Sequence, residues 1–125
     1  MAQPTSPELA LLKSLWKSQP QTARALHEAV GEPLQWSYST TRKVLERMGD
    51  KGLVSIARDG NKKIYIAKVE KLKTLAAYAR DFASRVLELE SPMPAALFGA
   101  SQLVDEDELA ELESLLQQKP EAEDE

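Results

Sequence analysis

Residues 37–67 read Ser37-Tyr38-Ser39-Thr40-Thr41-Arg42-Lys43-Val44-Leu45-Glu46-Arg47-Met48-Gly49-Asp50-Lys51-Gly52-Leu53-Val54-Ser55-Ile56-Ala57-Arg58-Asp59-Gly60-Asn61-Lys62-Lys63-Ile64-Tyr65-Ile66-Ala67. The period of the apolar positions changes part-way through. Up to Lys51, Thr41, Val44, Leu45 and Met48 share one face at about 100° per residue, the spacing of an amphipathic helix. Ser39 and Lys43 then point the other way, and Thr40, Arg42 and Arg47 lie on the flanks. Gly52 is placed to stop this helix. Beyond it Leu53, Val54 and Ile56 form one candidate strand and Ile64, Tyr65 and Ile66 another. Asp59-Gly60-Asn61 between them is a hairpin-type turn cluster. Arg58, Lys62 and Lys63 surround the tip.

Upstream, two more helices are predicted. The first begins at Ser6 as cap with Pro7 in the first turn; Leu9, Leu12 and Trp16 recur at helical spacing, flanked by Leu11 and Leu15, and Pro20 ends it. The second follows Thr22, a good N-cap, with Ala23, Leu26 and Val30 as its buried stripe, and stops at Gly31 and Pro33. Helix, helix, helix, hairpin is the order of a winged helix-turn-helix, whose third helix enters the major groove with its N-terminal residues at the base edges.

Downstream, a long helix is predicted over residues 69–89. Its apolar positions Leu72, Leu75, Ala79, Phe82, Val86 and Leu89 step alternately by three and four, a heptad-like seam. Pro92 and Pro94 break it, a short segment carries Leu97 and Phe98, and a last helix opens at Asp105 with Glu108 in capping-box spacing. Leu109, Leu112, Leu115 and Leu116 are its stripe, and residues 119–125 read as an acidic tail. The expected fold is mainly α with a small antiparallel β hairpin: a winged helix-turn-helix over residues 1–68, a helical dimerisation domain over residues 69–118, and a flexible tail over 119–125. The seam and Leu109, Leu112 and Leu116 are the candidate dimerisation residues.

Charge divides in the same way. The net charge of −4 looks unsuited to nucleic acid. Residues 1–68, however, hold 11 Lys and Arg against 6 Asp and Glu, whereas residues 69–125 hold 5 against 14. A basic half can meet phosphates that an acidic half would repel. The start of the third helix supplies short hydroxyls and cations that suit phosphates and base edges, while Glu46 and Asp50 oppose phosphate approach further along. The candidate contacts are therefore the hydroxyls and cations of residues 37–43, Arg42 and Lys43 among them, with Arg58, Lys62 and Lys63 on the wing.

Other classes find no support. There are no cysteines, which excludes disulfides and thiolate metal sites. No apolar run approaches the ~20 residues of a membrane-spanning helix, and the N-terminus lacks the pattern of a secretion signal; a cytoplasmic location is expected. No glycine-rich phosphate loop, zinc-protease motif or nucleophile–base pair is present, so neither catalysis, metal nor cofactor is expected. His27, the only histidine, is read as a surface or partly buried side chain. Trp16 and Trp36 are read as core or interface aromatics.

The segments Glu8-Leu9-Ala10-Leu11-Leu12-Lys13-Ser14-Leu15-Trp16, Ser39 through Met48, Lys51-Gly52-Leu53-Val54, Ile56-Ala57-Arg58 with Lys63-Ile64-Tyr65-Ile66, and Phe98-Gly99 through Leu109-Ala110-Glu111-Leu112 with Leu115-Leu116 together resemble the penicillinase-repressor family of winged-helix regulators. The resemblance covers nearly the whole chain. It implies a homodimeric transcriptional repressor on a palindromic operator of double-stranded DNA, with Ser39, Thr40, Arg42 and Lys43 facing DNA and Arg47 and the wing assisting. Some members of that family are inactivated by a regulatory protease inside the dimerisation region, and the matching peptide here is Leu97–Phe98. This sequence departs from the pattern nearby, with Leu89-Glu90-Ser91-Pro92 where glycine-containing stretches are common, and Leu97 and Phe98 also suit a core. The copper-responsive branch uses C-terminal cysteines, which this chain lacks. The competing reading is a winged-helix protein-interaction adaptor that does not bind DNA.

Overall fold

The structure, a computed structural model, describes residues 3–89, 94–99 and 101–117. The chain folds as two compact units, Met1–Glu70 and Lys71–Glu125.

In the first unit, α1 (Ser6–Lys17) is followed by β1 (Gln21–Thr22), α2 (Ala23–Leu26) continuing as one π turn (His27–Gly31), α3 (Tyr38–Asp50), β2 (Val54–Asp59) and β3 (Lys62–Ala67). This is a winged helix-turn-helix. The cap of α1 is Thr5, one residue before the expected Ser6. Its hydroxyl accepts from the Glu8 backbone N–H while the Glu8 carboxylate accepts from the Thr5 N–H at 2.9 Å. That reciprocal box satisfies two of the orphan donors of the first turn and fixes the start one residue early. Thr22 caps α2 as expected and Ser37 caps α3, each accepting at 3.1 Å from the backbone three residues on. Lys51 ends α3, and Gly52, at φ +80°, turns the chain out of it.

The sheet is larger than a hairpin. Its order is β1-β3-β2, all antiparallel, with Gln21 opposite Tyr65 and Thr22 opposite Ile64. The β2–β3 strands also run further than expected, pairing Val54 with Ala67 through Asp59 with Lys62. Only Gly60 and Asn61 remain for the turn, and Gly60 at φ +66° supplies the positive φ that such a tight link needs. β1 contributes two residues with no alternation to read.

The core gathers Leu11, Leu12 and Leu15 of α1, Leu26 and Val30 of the second helical segment, Leu45 and Met48 of α3, and Leu53, Val54 and Tyr65 of the wing. The second helical segment and α3 face this core with the stripe their spacing implies, whereas α1 turns the expected flanks Leu11 and Leu15 into it beside Leu12, leaving Trp16 half-buried and Leu9 outside the cluster. Two polar contacts staple the unit at its periphery: the Lys51 ammonium sits 2.6 Å from the Glu8 carboxylate, and the Trp16 indole N–H donates to the Val69 carbonyl at 3.2 Å.

In the second unit, α4 (Lys71–Arg85), a 3₁₀ turn (Ala95–Phe98) and α5 (Glu106–Gln117) surround Ala76, Ala95, Leu112 and Leu116. α4 begins two residues later and ends four residues earlier than residues 69–89. Its end is marked by Glu88 at φ +56° and by the Leu89 N–H returning to the Ala83 carbonyl at 2.9 Å. Asp105 and Glu108 cap α5 reciprocally, at 2.8 and 3.0 Å. Lys71 bridges to Glu108, and Arg80 donates to the Leu115 carbonyl at 2.8 Å, tying the two helices together. Among the described residues, no helix is long and apolar enough to cross a membrane.

The residues of the heptad-like seam differ in environment. Leu72 and Leu75 are buried, as are Leu112 and Leu116 of α5, while Ala79 and Leu109 are half-buried. Phe82, Val86 and Leu89 remain exposed, at 43%, 58% and 48%, and Leu87 beside them at 49%. Leu97 lies on the 3₁₀ turn, with its side chain outside the described residues; Phe98 on the same turn packs half-buried against the cluster. Glu90–Pro92 and residues 119–125 also lie outside the described residues.

Candidate nucleic-acid interface

The start of α3 and the wing converge on one open groove of about 690 Å³. Tyr38, Ser39, Arg42, Lys43 and Glu46 of α3, Arg58, Lys62 and Lys63 of the wing, and Arg24 of α2 line it. Six of the eight DNA-binding candidates thus share one concavity. Thr40 and Arg47 are exposed but outside the groove, and the Thr40 hydroxyl is engaged with Ser37 Oγ at 3.0 Å.

The wing shows how its cations are aimed. Partners across an antiparallel ladder project to the same face, so Val54 with Ala67, Ile56 with Tyr65, and Arg58 with Lys63 form one row. The inner end of that row is core and its outer end is two cations directly opposite each other. Like charges in this position destabilise a hairpin. None of Arg24, Arg42, Lys43, Arg58, Lys62 and Lys63 has an ion-pair partner among the described residues, and Glu46 is the one carboxylate of the lining. Cations therefore outnumber carboxylates in the lining by six to one.

Beneath the groove the packing is polar and tight. His27 is buried at 6% exposure, which corrects the expectation of a surface or partly buried side chain. Its Nδ1 lies 2.7 Å from the Thr41 hydroxyl, also buried. Gly31 lets this pair form, because a Cβ there would collide with Thr41 Oγ1 and His27 Nδ1. The His27 ring meets Tyr38 edge-on at 5.5 Å. Two guanidiniums approach the same Tyr38 ring, Arg24 at 4.2 Å from its centroid and Arg42 at 5.3 Å. Sequence reasoning missed Arg24 and Tyr38; the readable signal was an arginine at the start of a capped helix in the basic half. Burial raises the Tyr65 phenol above its ordinary range, with Tyr38 and Glu46 adding to the rise and Arg42 opposing it. Tyr65 is therefore a neutral wall of the groove.

The penicillinase repressor family matches residues 4–118 of this chain. The transcriptional regulators BlaI of two Mycobacterium tuberculosis strains are 40% identical to it over 53 residues, a stretch that is 42% of this chain and 38% of theirs. The match thus spans well under half the length of these curated relatives.

Proposed function

Since this chain belongs to the penicillinase repressor family, we propose that it is a transcriptional repressor that binds double-stranded DNA as a homodimer on a palindromic operator. The observation that carries this reading is the pairing of Arg58 with Lys63 on the face of the wing that meets the groove. A repulsive pair with no ion-pair partner among the described residues suits an anionic partner. Ser39, Arg42 and Lys43, at the N-terminal end of α3, are the proposed base-edge and phosphate contacts. Lys62, with the Arg58–Lys63 pair, grips the flanking backbone. Thr40 and Arg47 act from outside the groove, on phosphates beside it.

Dimerisation is assigned to the helical unit. Phe82, Val86 and Leu89, with Leu87, expose the apolar surface that a second copy would cover. Two-fold symmetry then sets half-sites about one helical turn apart, or a multiple of that. Phe98 packs half-buried against its own unit, so a protease acting at Leu97–Phe98 would have to open the 3₁₀ turn first.

The test is selection of binding sites from random duplex DNA with the purified protein, followed by affinity against salt. A palindromic enriched site and a steep negative salt slope are expected, because phosphate contacts release counterions. No enrichment with no salt-dependent binding would overturn the reading in favour of a protein-interaction adaptor.

A further inference from the structure

The Tyr38 ring gathers two cations from different helices, and nothing in the fold calls for that. Arg24 comes from α2 and Arg42 from α3. Both are exposed, and neither has an ion-pair partner among the described residues. Two guanidiniums on one ring repel each other. Stacking on an aromatic face offsets part of that repulsion, and an anion placed between the two would offset the rest.

Tyr38 is well suited to hold them. It is the first residue of α3, and the buried His27 backs its edge while bonded to Thr41 one turn further along the same helix. The ring is therefore fixed relative to both helices. A stacked arginine has less rotamer freedom left to lose on binding than a free one. In helix-turn-helix units the helix before the recognition helix crosses the DNA backbone, and Arg24 sits on that helix and lines the groove.

We infer that Arg24 is a backbone-phosphate contact of this interface and that Tyr38 is the positioning residue that presents Arg24 and Arg42 at a fixed spacing. The inference rests on the DNA-binding reading above. Arg24 carries charge and no sequence discrimination; Tyr38 acts through the two guanidiniums.

The experiment compares the full-length protein with Arg24→Ala, Tyr38→Phe and Tyr38→Leu on two duplexes, one carrying the selected site and one unrelated, across a range of salt. Thermal melts of all four proteins run alongside. Arg24→Ala is expected to weaken both duplexes by the same factor, about tenfold, and to flatten the slope of log affinity against log salt by about 0.9 per bound chain. Tyr38→Phe keeps the ring and is expected to retain wild-type affinity and slope. Tyr38→Leu removes it and is expected to lose at least as much of the slope as Arg24→Ala. An Arg24→Ala protein that keeps the wild-type affinity and slope overturns the phosphate assignment, as does a loss confined to the selected site. A folded Tyr38→Leu protein with the wild-type slope overturns the positioning role, as does a folded Tyr38→Phe protein whose slope falls as far as that of Arg24→Ala, since the ring is kept there. Wild-type protein without salt-dependent binding to either duplex would sink the DNA-binding reading itself.

Discussion

The side chains that decide this fold are polar ones placed where leucine stripes alone would leave freedom. Glu8 is the clearest case. Burial by itself would raise its pKa, but the Lys51 ammonium and the Thr5 backbone N–H outweigh that and hold it below the usual 4.5. A group depressed on folding adds stability above its unfolded pKa and loses it as the pH falls through the folded one. Glu8→Gln should therefore cost about 1–3 kcal/mol at pH 7, and its deficit against wild type should shrink as the pH drops below 4.5. Urea unfolding of both proteins at neutral and acidic pH checks this. Gly31 is constrained from another side. Gly31→Ala drives a methyl into the His27–Thr41 contact and should cost about 1–3 kcal/mol, as overpacked sites do, read as a lower urea midpoint with an unchanged slope. At the proposed DNA contacts, Arg42→Ala or Lys43→Ala should weaken operator binding, by about 1–3 kcal/mol where the contact is to a base edge; equal affinity in a gel-shift titration would remove that residue from the interface.

At the level of elements, α3 and the wing divide the work between shape and charge. Arg58 and Lys63 face each other across the ladder, so the hairpin is less stable than its length allows. Arg58→Ala should raise the folding stability by about 0.2–1 kcal/mol while lowering DNA affinity, and parallel unfolding and binding titrations would reveal the opposite signs. The sequence was legible in these same elements. The helical stripe of Thr41, Leu45 and Met48 and the strand residues around Asp59-Gly60-Asn61 carry strong periods, and the capping residues Thr22 and Ser37 announce themselves. Ser6-Pro7 is as good an opening as Thr5, and only the reciprocal Glu8 contact separates them. β1 escaped because two residues have no period. Arg24 and Tyr38 escaped because a stacking arrangement between helices depends on how α2 meets α3, and that follows from the small Gly31 and the buried His27. No local pattern reveals it. The end of α4 escaped for a related reason: its apolar steps continue to Leu89, yet Glu88 turns to positive φ.

For the molecule as a whole, the two units carry opposite burdens. The basic charge lies in the unit that holds the groove, while the exposed Phe82, Val86, Leu87 and Leu89 lie in the acidic one. Phe82→Glu should shift the proposed dimer toward monomer in sedimentation equilibrium; a variant that associates as strongly as wild type would place the interface elsewhere. The sheet order has a further consequence for handling the protein. With β3 in the middle, β2 is an open border whose outward amide and carbonyl groups pair with no further strand among the described residues. Such a border invites strand-to-strand stacking between molecules. Its guards are the charges of Arg58 and Asp59 near the tip, set against an exposed Ile56. Concentrated stocks in high salt, where those charges are screened, should therefore scatter light and cloud sooner than stocks at low salt, and DNA lying along the wing should keep them clear.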